Sequence, residues 1–255
     1  MDLKLAGRSV IVTGSTRGIG YGIAEAFARE GARLTICARG ADALDDARQR
    51  LLAAGAADAQ ALAVDVTNAA DCERLVAATV ERYGGVDVLV NNAGGSVRGE
   101  TPEASLIATF QANVGSVARL SLLAKPHLAR AVNGGAIINI SSIYGRESGG
   151  GVDYNTAKSA QIALSKAYAL QWAREGIRVN TVAPGSIAFE GGGWGRRLVE
   201  QPEEMRDFIA RNIAGGRFGR VDEIANVVVF LASPRASWVI GAAINVDGGQ
   251  SHSNI

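Results

Sequence analysis

A doubly wound α/β domain, built on a seven-stranded parallel sheet with helices on both faces, is the fold this sequence predicts. Two observations predict it. Short runs rich in Val and Ile alternate strictly with helical segments along the 255 residues. Those runs are continuously apolar rather than alternating, as strands buried on both faces are. A third observation concerns position: glycine and polar clusters recur where the strands end, the edge at which such sheets hold ligands.

In chain order, the strand runs fall at 9–13, 33–37, 60–64, 86–90, 136–140, 178–182 and 243–246. Helical patterns fall between them at 19–30, 41–54, 69–83, 104–131, 152–175 and 222–231. No linker, repeat or low-complexity tract divides the chain, so residues 1–255 read as one domain. One segment breaks the alternation. Residues 186–218, between the sixth and seventh strands, contain Glu190-Gly191-Gly192-Gly193-Trp194-Gly195-Arg196-Arg197 and then a short helical pattern at 202–212. An insertion this long is either a substrate lid or a floppy surface excursion. On the helix at 104–131, Leu106, Phe110, Val114 and Val117 form an apolar stripe. Asn113 falls within that stripe. A buried amide must be hydrogen-bonded, so Asn113 reads either as a structural tie or as the anchor of a water in a proton relay.

Composition narrows the function. Apolar residues make up 47% of the chain, enough for a substantial core, and 26 Lys+Arg against 25 Asp+Glu leave a balanced surface. That balance argues against nucleic acid as the main partner. Cys37 and Cys72 have no second Cys or His at ligand spacing, so neither a disulfide framework nor a metal site is expected, and a reducing compartment fits. Met1-Asp2-Leu3-Lys4-Leu5 does not resemble a signal peptide, and no apolar run approaches the ~18 residues of a membrane span. The expectation is a cytoplasmic protein with a small-molecule partner and no membrane partner.

The first strand ends in Thr13-Gly14-Ser15-Thr16-Arg17-Gly18-Ile19-Gly20 and runs into a helix. Glycines at such a turn let the backbone approach a pyrophosphate, which the helix N-terminus stabilises. The second strand ends Cys37-Ala38-Arg39. The position of the acid that binds a ribose 2′-hydroxyl holds Ala38, and Arg39 follows, with Arg17 as a second cation. Guanidinium groups suit a phosphate dianion, so NADP is favoured over NAD. Asp65-Val66 after the third strand and Asn91-Asn92-Ala93-Gly94 after the fourth lie at the same edge, although Asp65 could instead cap the following turn.

The chemistry centres on Tyr154-Asn155-Thr156-Ala157-Lys158. Residues four apart on a helix share one face. A phenol titrates near pH ~10, and a neighbouring ammonium pulls that value down, so the pair can trade a proton. Twelve residues before Tyr154, the fifth strand ends in Ser141-Ser142, where a serine could hydrogen-bond a substrate carbonyl.

Taken together, these motifs resemble the short-chain dehydrogenase/reductase family from end to end. The matching residues are Thr13, Gly14-x-x-x-Gly18-Ile19-Gly20, Asn91-Asn92-Ala93-Gly94, Asn113, Ser142, Tyr154-x-x-x-Lys158, Asn180, Pro184-Gly185 and the ending around Gly216–Ala225 and Asp247-Gly248-Gly249. The resemblance implies a Rossmann-type domain and an Asn113–Ser142–Tyr154–Lys158 tetrad, with Ser142 rather than Ser141 as the catalytic serine. It implies that Lys158 also holds the nicotinamide ribose, and that Gly14, Ser15, Thr16, Arg17, Gly18, Ile19, Gly20, Arg39, Asp65, Val66, Asn91, Ala93, Gly94, Tyr154, Pro184, Gly185 and Ile187 line the cofactor. The general look is that of 3-oxoacyl-(acyl-carrier-protein) reductases and of small ketone, sugar and polyol dehydrogenases. A homotetramer is implied as well.

Two departures stand out. Phe189 occupies the place of a threonine that usually touches the nicotinamide carboxamide, leaving Ile187 to bind through its backbone. Asn133 stands where carrier-protein reductases tend to be basic, with Arg130 a turn earlier. Arg146, Arg196 and Arg197 would favour an anionic or carrier-bound substrate if they lie at the pocket mouth; otherwise they are solvated loop arginines. An NAD-dependent sugar or polyol dehydrogenase is the alternative enzyme. A non-catalytic dinucleotide sensor or scaffold is the alternative from another class, against which the complete tetrad argues.

Overall fold

β1 (Ser9–Thr13) is buried along its whole length. It pairs in parallel with β2 (Arg33–Ala38) on one side and β4 (Val88–Asn91) on the other. With β3 (Asp58–Ala63), β5 (Gly135–Ile140), β6 (Ile177–Pro184) and β7 (Ala243–Val246), the sheet runs 3-2-1-4-5-6-7 and all its pairings are parallel. The order reverses between β1 and β4, so a crevice opens there beyond the carboxyl ends of the strands. The computed structural model describes residues 1–254.

The strands divide their side chains between two cores, as a period of two requires. Val10, Val12, Leu34, Ile36 and Ile138 point to one face. There they meet Ile23 and Phe27 of α1 (Gly18–Arg29), Leu44 and Leu51 of α2 (Asp42–Ala53), and helix residues Ile224 and Val228. Ile11, Leu89, Ile137 and Val179 point the other way, onto Leu75 of α3 (Ala69–Tyr83), Leu120, Ala124 and Leu128, and Trp172. β4 begins at Val88, two residues after its apolar run starts; just before it, Asp87 bonds Ser9 twice, its N–H donating to the Ser9 carbonyl and its carboxylate accepting from the Ser9 N–H.

The long helix differs from its expected form. It starts at Pro102, one residue after Thr101 caps it by accepting from Ala104 N–H at 3.1 Å. It runs as α4 (Pro102–Phe110), a π-turn (Gln111–Gly115) and α5 (Ser116–Leu128). The expected stripe is broken: Val114 and Val117 are buried, but Leu106 and Phe110 are 37% and 39% exposed. A π-turn adds one residue to the helix and rotates the next turns by about 100°, so the two halves of the stripe face different ways. Among the described residues, Pro102–Leu128 is also the one helix long and apolar enough to cross a membrane. It holds no continuous apolar run of the length expected of a membrane span, being interrupted by Glu103, Gln111, Asn113, Arg119 and Lys125. Its Leu120, Ala124 and Leu128 pack on the sheet.

α6 (Val152–Trp172) follows β5 and carries Tyr154 and Lys158 on its first turns. The insertion after β6 is packed rather than floppy. It folds as α7 (Gly193–Glu200) and α8 (Pro202–Asn212), ahead of α9 (Val221–Ala232). Met205, Ile213 and Phe218 form a small core there with Trp194 and Phe208. The Trp194 ring lies 4.8 Å from Phe208 and 5.1 Å from Phe218. Helix α7 is absent from the sequence expectation, because a run of glycines at 191–193 opens it.

Candidate active site

A cleft of about 1400 Å³ lies beyond the carboxyl ends of the strands. Its floor is the glycine turn. Gly14 and Gly18 have φ of +64° and +57°, a left-handed conformation that other residues adopt at a cost. A Cβ at Gly20 would collide with the Gly14 carbonyl. Thr13 binds this turn to the next loop, its hydroxyl accepting from the N–H groups of Asn92 and Ala93, both at 3.0 Å. Asn92 returns the tie, its Nδ2 donating to the carbonyls of Thr13 and Gly14. Asn92 was not among the expected site residues, although it was visible as part of the Asn-Asn-Ala-Gly run.

The structure sorts the expected cofactor residues into two groups. Gly14, Thr16, Arg17, Ile19, Gly20, Arg39, Asp65, Val66, Ala93, Gly94, Pro184, Gly185 and Ile187 line the cleft. Ser15, Gly18 and Asn91 do not. The Ser15 hydroxyl is turned inward and donates to the Val12 carbonyl at 2.8 Å. Asn91 Nδ2 donates to Asn139 Oδ1 at 2.8 Å, in the core. Gly18 lies under Phe189, whose ring would stand 2.6 Å from a Cβ there. At the far end, hydrogen bonds from the N–H and hydroxyl of Thr67 hold the Asp65 carboxyl below its usual range. Arg17 and Arg39 are exposed on the same wall. Cys37 also lines it as a free, buried thiol pushed up to about 12 by desolvation.

At the other end stand Ser142, Tyr154 and Lys158. Ser142 follows β5; its oxygen accepts from Tyr144 N–H at 3.2 Å, and its hydroxyl pairs with the Tyr154 phenol. Ser141 Oγ is committed to the Lys158 carbonyl at 3.0 Å. Burial raises the Tyr154 phenol above its ordinary value, while a hydrogen bond with Ser142 lowers it. Lys158 does not act on the phenol in the expected way. Its Nζ is 5.6 Å from the centre of the Tyr154 ring and donates instead to the Ile140 carbonyl at 2.9 Å and Gln161 Oε1 at 3.2 Å. Complete burial brings the ammonium itself down to about 7. The physical reason is desolvation: an ammonium without a carboxylate partner is costly to bury.

Asn113 sits in the π-turn, set back from the cleft. Its side chain ties α4 to the loop after β4: Oδ1 accepts from Gly95 N–H at 3.0 Å, and Nδ2 donates to the carbonyls of Gly95 and Thr109 at 2.8 and 2.7 Å. Near Pro184 and Gly185, Ile187 bridges Gly219 through its neighbours. Among the described residues, its own N–H and carbonyl have no hydrogen-bond partner, and it lines the cleft. The three candidate arginines do not reach the cleft wall. Arg146 donates to the Ala243 carbonyl on β7, Arg196 approaches Glu200 at 3.9 Å, and Arg197 stacks on Trp194 at 5.5 Å.

Known proteins match this arrangement. The family profile described as enoyl-(acyl carrier protein) reductase matches residues 14–251. Galactitol 2-dehydrogenase of Agrobacterium fabrum is 35% identical, over 97% of this chain and 98% of its own. L-Sorbose reductase from Gluconobacter frateurii, solved with NADPH and L-sorbose, superposes with a TM-score of 0.92 at 31% identity, covering 99% of this chain and 100% of the other. A 7α-hydroxysteroid dehydrogenase solved with NADH and 7-oxo glycochenodeoxycholic acid gives 0.88 at 31% identity, covering 99% and 97%. With the profile spanning nearly the whole sequence and full-length relatives above 30% identity, this chain belongs to the short-chain dehydrogenase/reductase family, oxidoreductases that act on CH–OH groups.

Proposed function

We propose that this protein interconverts a ketone, a 3-oxoacyl group or a similar small carbonyl, and the secondary alcohol, using NADP(H). The observation that carries this reading is the meeting of Ser142, Tyr154 and Lys158 at one end of a cleft whose other end presents Arg39. The chain's residues fit the cofactor. A Cβ at Gly20 would fill the cradle of the glycine turn, and Ile187 offers an unpartnered N–H and carbonyl to a carboxamide. When bound, NADPH supplies the hydride.

The protein's own residues do the rest. Ser142 donates to the carbonyl oxygen, where negative charge develops. Tyr154 gives that oxygen its proton, or removes it in oxidation. Lys158 holds the nicotinamide ribose, and its proton exchanges easily because its pKa is near 7. Since both Nδ2 hydrogens of Asn113 are committed to Gly95 and Thr109, its side chain has no proton to pass on, and a water relay to Lys158 would run through the main chain of the π-turn.

Arg39 tests the cofactor assignment. In the Arg39→Ala protein the Kd for NADPH should rise about tenfold, the worth of a charge-assisted pair, with NADH binding unchanged. Equal effects on both nucleotides would favour the second reading, an NAD-dependent polyol dehydrogenase. The galactitol relative and the NADH-bound steroid dehydrogenase supply the reason to keep that reading.

The exposed apolar faces of the paired helices support assembly into a homotetramer. Ile107, Leu122, Val152 and Leu170 are 55%, 55%, 81% and 69% exposed on α4, α5 and α6, an apolar surface of the kind that marks an interface. Light scattering should give four times the 26.4 kDa chain mass; a monomer would end this proposal.

A further inference from the structure

We infer that Arg98 selects the substrate, binding an anionic group (a carboxylate or a phosphate) on the carbonyl compound. The inference rests on the proposed carbonyl chemistry and adds the substrate class to it.

Arg98 lies on the loop after β4 and lines the same cleft as Ser142 and Tyr154. This loop is held rigidly. Gly95 exchanges hydrogen bonds with the Asn113 amide, Val97 N–H donates to Thr109 Oγ1 at 2.9 Å, and Gly99 N–H donates to Ser105 Oγ at 2.9 Å. Thr109 Oγ1 in turn donates to Asp153 Oδ2 at 2.9 Å, and Asp153 adjoins Tyr154. Arg98 is therefore anchored to the end of the cleft where the phenol stands, not to the end where Arg39 and Asp65 stand.

Within this fixed frame the guanidinium has no hydrogen-bond or ion-pair partner among the described residues. Arg130, Arg174 and Arg206 are exposed and likewise unpaired, but they lie outside the cleft, whereas Arg98 lines it. The cleft wall carries four cations, Arg17, Arg39, Arg98 and Lys158, against one carboxylate, Asp65. Arg39 and Arg17 are set aside for the nucleotide, and Lys158 for the reaction. That leaves one planar fork of donors, matched to a carboxylate or phosphate, at the substrate end and in no ion pair; the Asp153 carboxylate at that end accepts from Thr109.

The test is a binding titration on the complex of the full chain with NADP, following tryptophan fluorescence, since Trp194 lines the cleft. Two charged and neutral pairs serve as probes: 4-oxopentanoate with its methyl ester, and dihydroxyacetone phosphate with dihydroxyacetone. In the wild type, the charged member of one pair should bind about tenfold more tightly than the neutral one, and the pair that responds separates carboxylate from phosphate. In Arg98→Met the preference should vanish, with the neutral compounds and NADPH binding as before. No preference in the wild type, or a preference that survives in Arg98→Met, overturns the inference. NADPH oxidation with neutral ketones is measured separately. Turnover without charge preference removes the role of Arg98 and leaves the hydride reading standing. An Arg98-dependent preference without any turnover keeps the anion site and removes that reading.

Discussion

Tyr154→Phe should lower kcat at least about a hundredfold while NADPH binding and the melting temperature stay near wild type. The change removes one oxygen from a half-buried ring that lines the cleft, and the phenyl ring keeps the rest of its packing, so the fold has little reason to respond. What is lost is the proton donor and its hydrogen bond with Ser142. The pH dependence should show the same group. Because burial raises the phenol, it stays protonated through neutral pH, so carbonyl reduction should hold its rate there. Alcohol oxidation needs the phenolate and should quicken as pH rises. Near-normal turnover in the variant would remove Tyr154 from the mechanism.

Lys158→Met should also cost about a hundredfold or more in kcat, but its effect on stability should be opposite to that of most core substitutions and should depend on pH. The Lys158 ammonium titrates at about 7 in the folded chain, against ~10.4 in an unfolded one. Between those values the unfolded state binds more protons, so stability rises with pH across that window. Below pH 7 both states are charged, and the cost of burying the ammonium is fully present. The nucleotide-free variant should therefore gain melting temperature relative to wild type at pH 6, and that gain should shrink by pH 9. Removing the donor leaves the Ile140 carbonyl and Gln161 Oε1 unpaired. That cost applies equally at both pH values, so the difference between them isolates the charge. A pH-independent difference would show that Lys158 is not buried as an ammonium.

Much of the fold was legible because a parallel strand covered on both faces must be apolar at every position. All seven runs became strands, displaced by no more than two residues at their starts. Legibility failed where local pattern and tertiary demand diverged. The glycines at 191–193 hid α7, which is held by the packing of Trp194 on Phe208 and Phe218 rather than by helix propensity. The stripe from Leu106 to Val117 assumed an unbroken helix, and the π-turn at Gln111–Gly115 rotated its first half outward.

The candidate site divides along similar lines. The four-residue spacing of Tyr154 and Lys158 was enough to place both on one wall of the cleft. It carried no information about where the ammonium points, which the Ile140 carbonyl and Gln161 settle. Ser15 and Asn91 sit inside motifs that face the cleft, yet hydrogen bonds to Val12 and Asn139 turn them inward. Arg146 is drawn to a carbonyl of β7, almost a hundred residues away in sequence. Arg98 drew no notice in the sequence because nothing local distinguishes it from a solvated charge.

Sequence alone determined the parallel α/β sheet, the order of its motifs and the family chemistry they carry, since periodicity and residue type record burial and reactivity along a single element. Only the tertiary structure decided which side chains face the cleft, which arginines are left without a partner and how low the lysine titrates. Those properties depend on desolvation and on hydrogen bonds supplied by distant segments, and neither is written in the local order of residues.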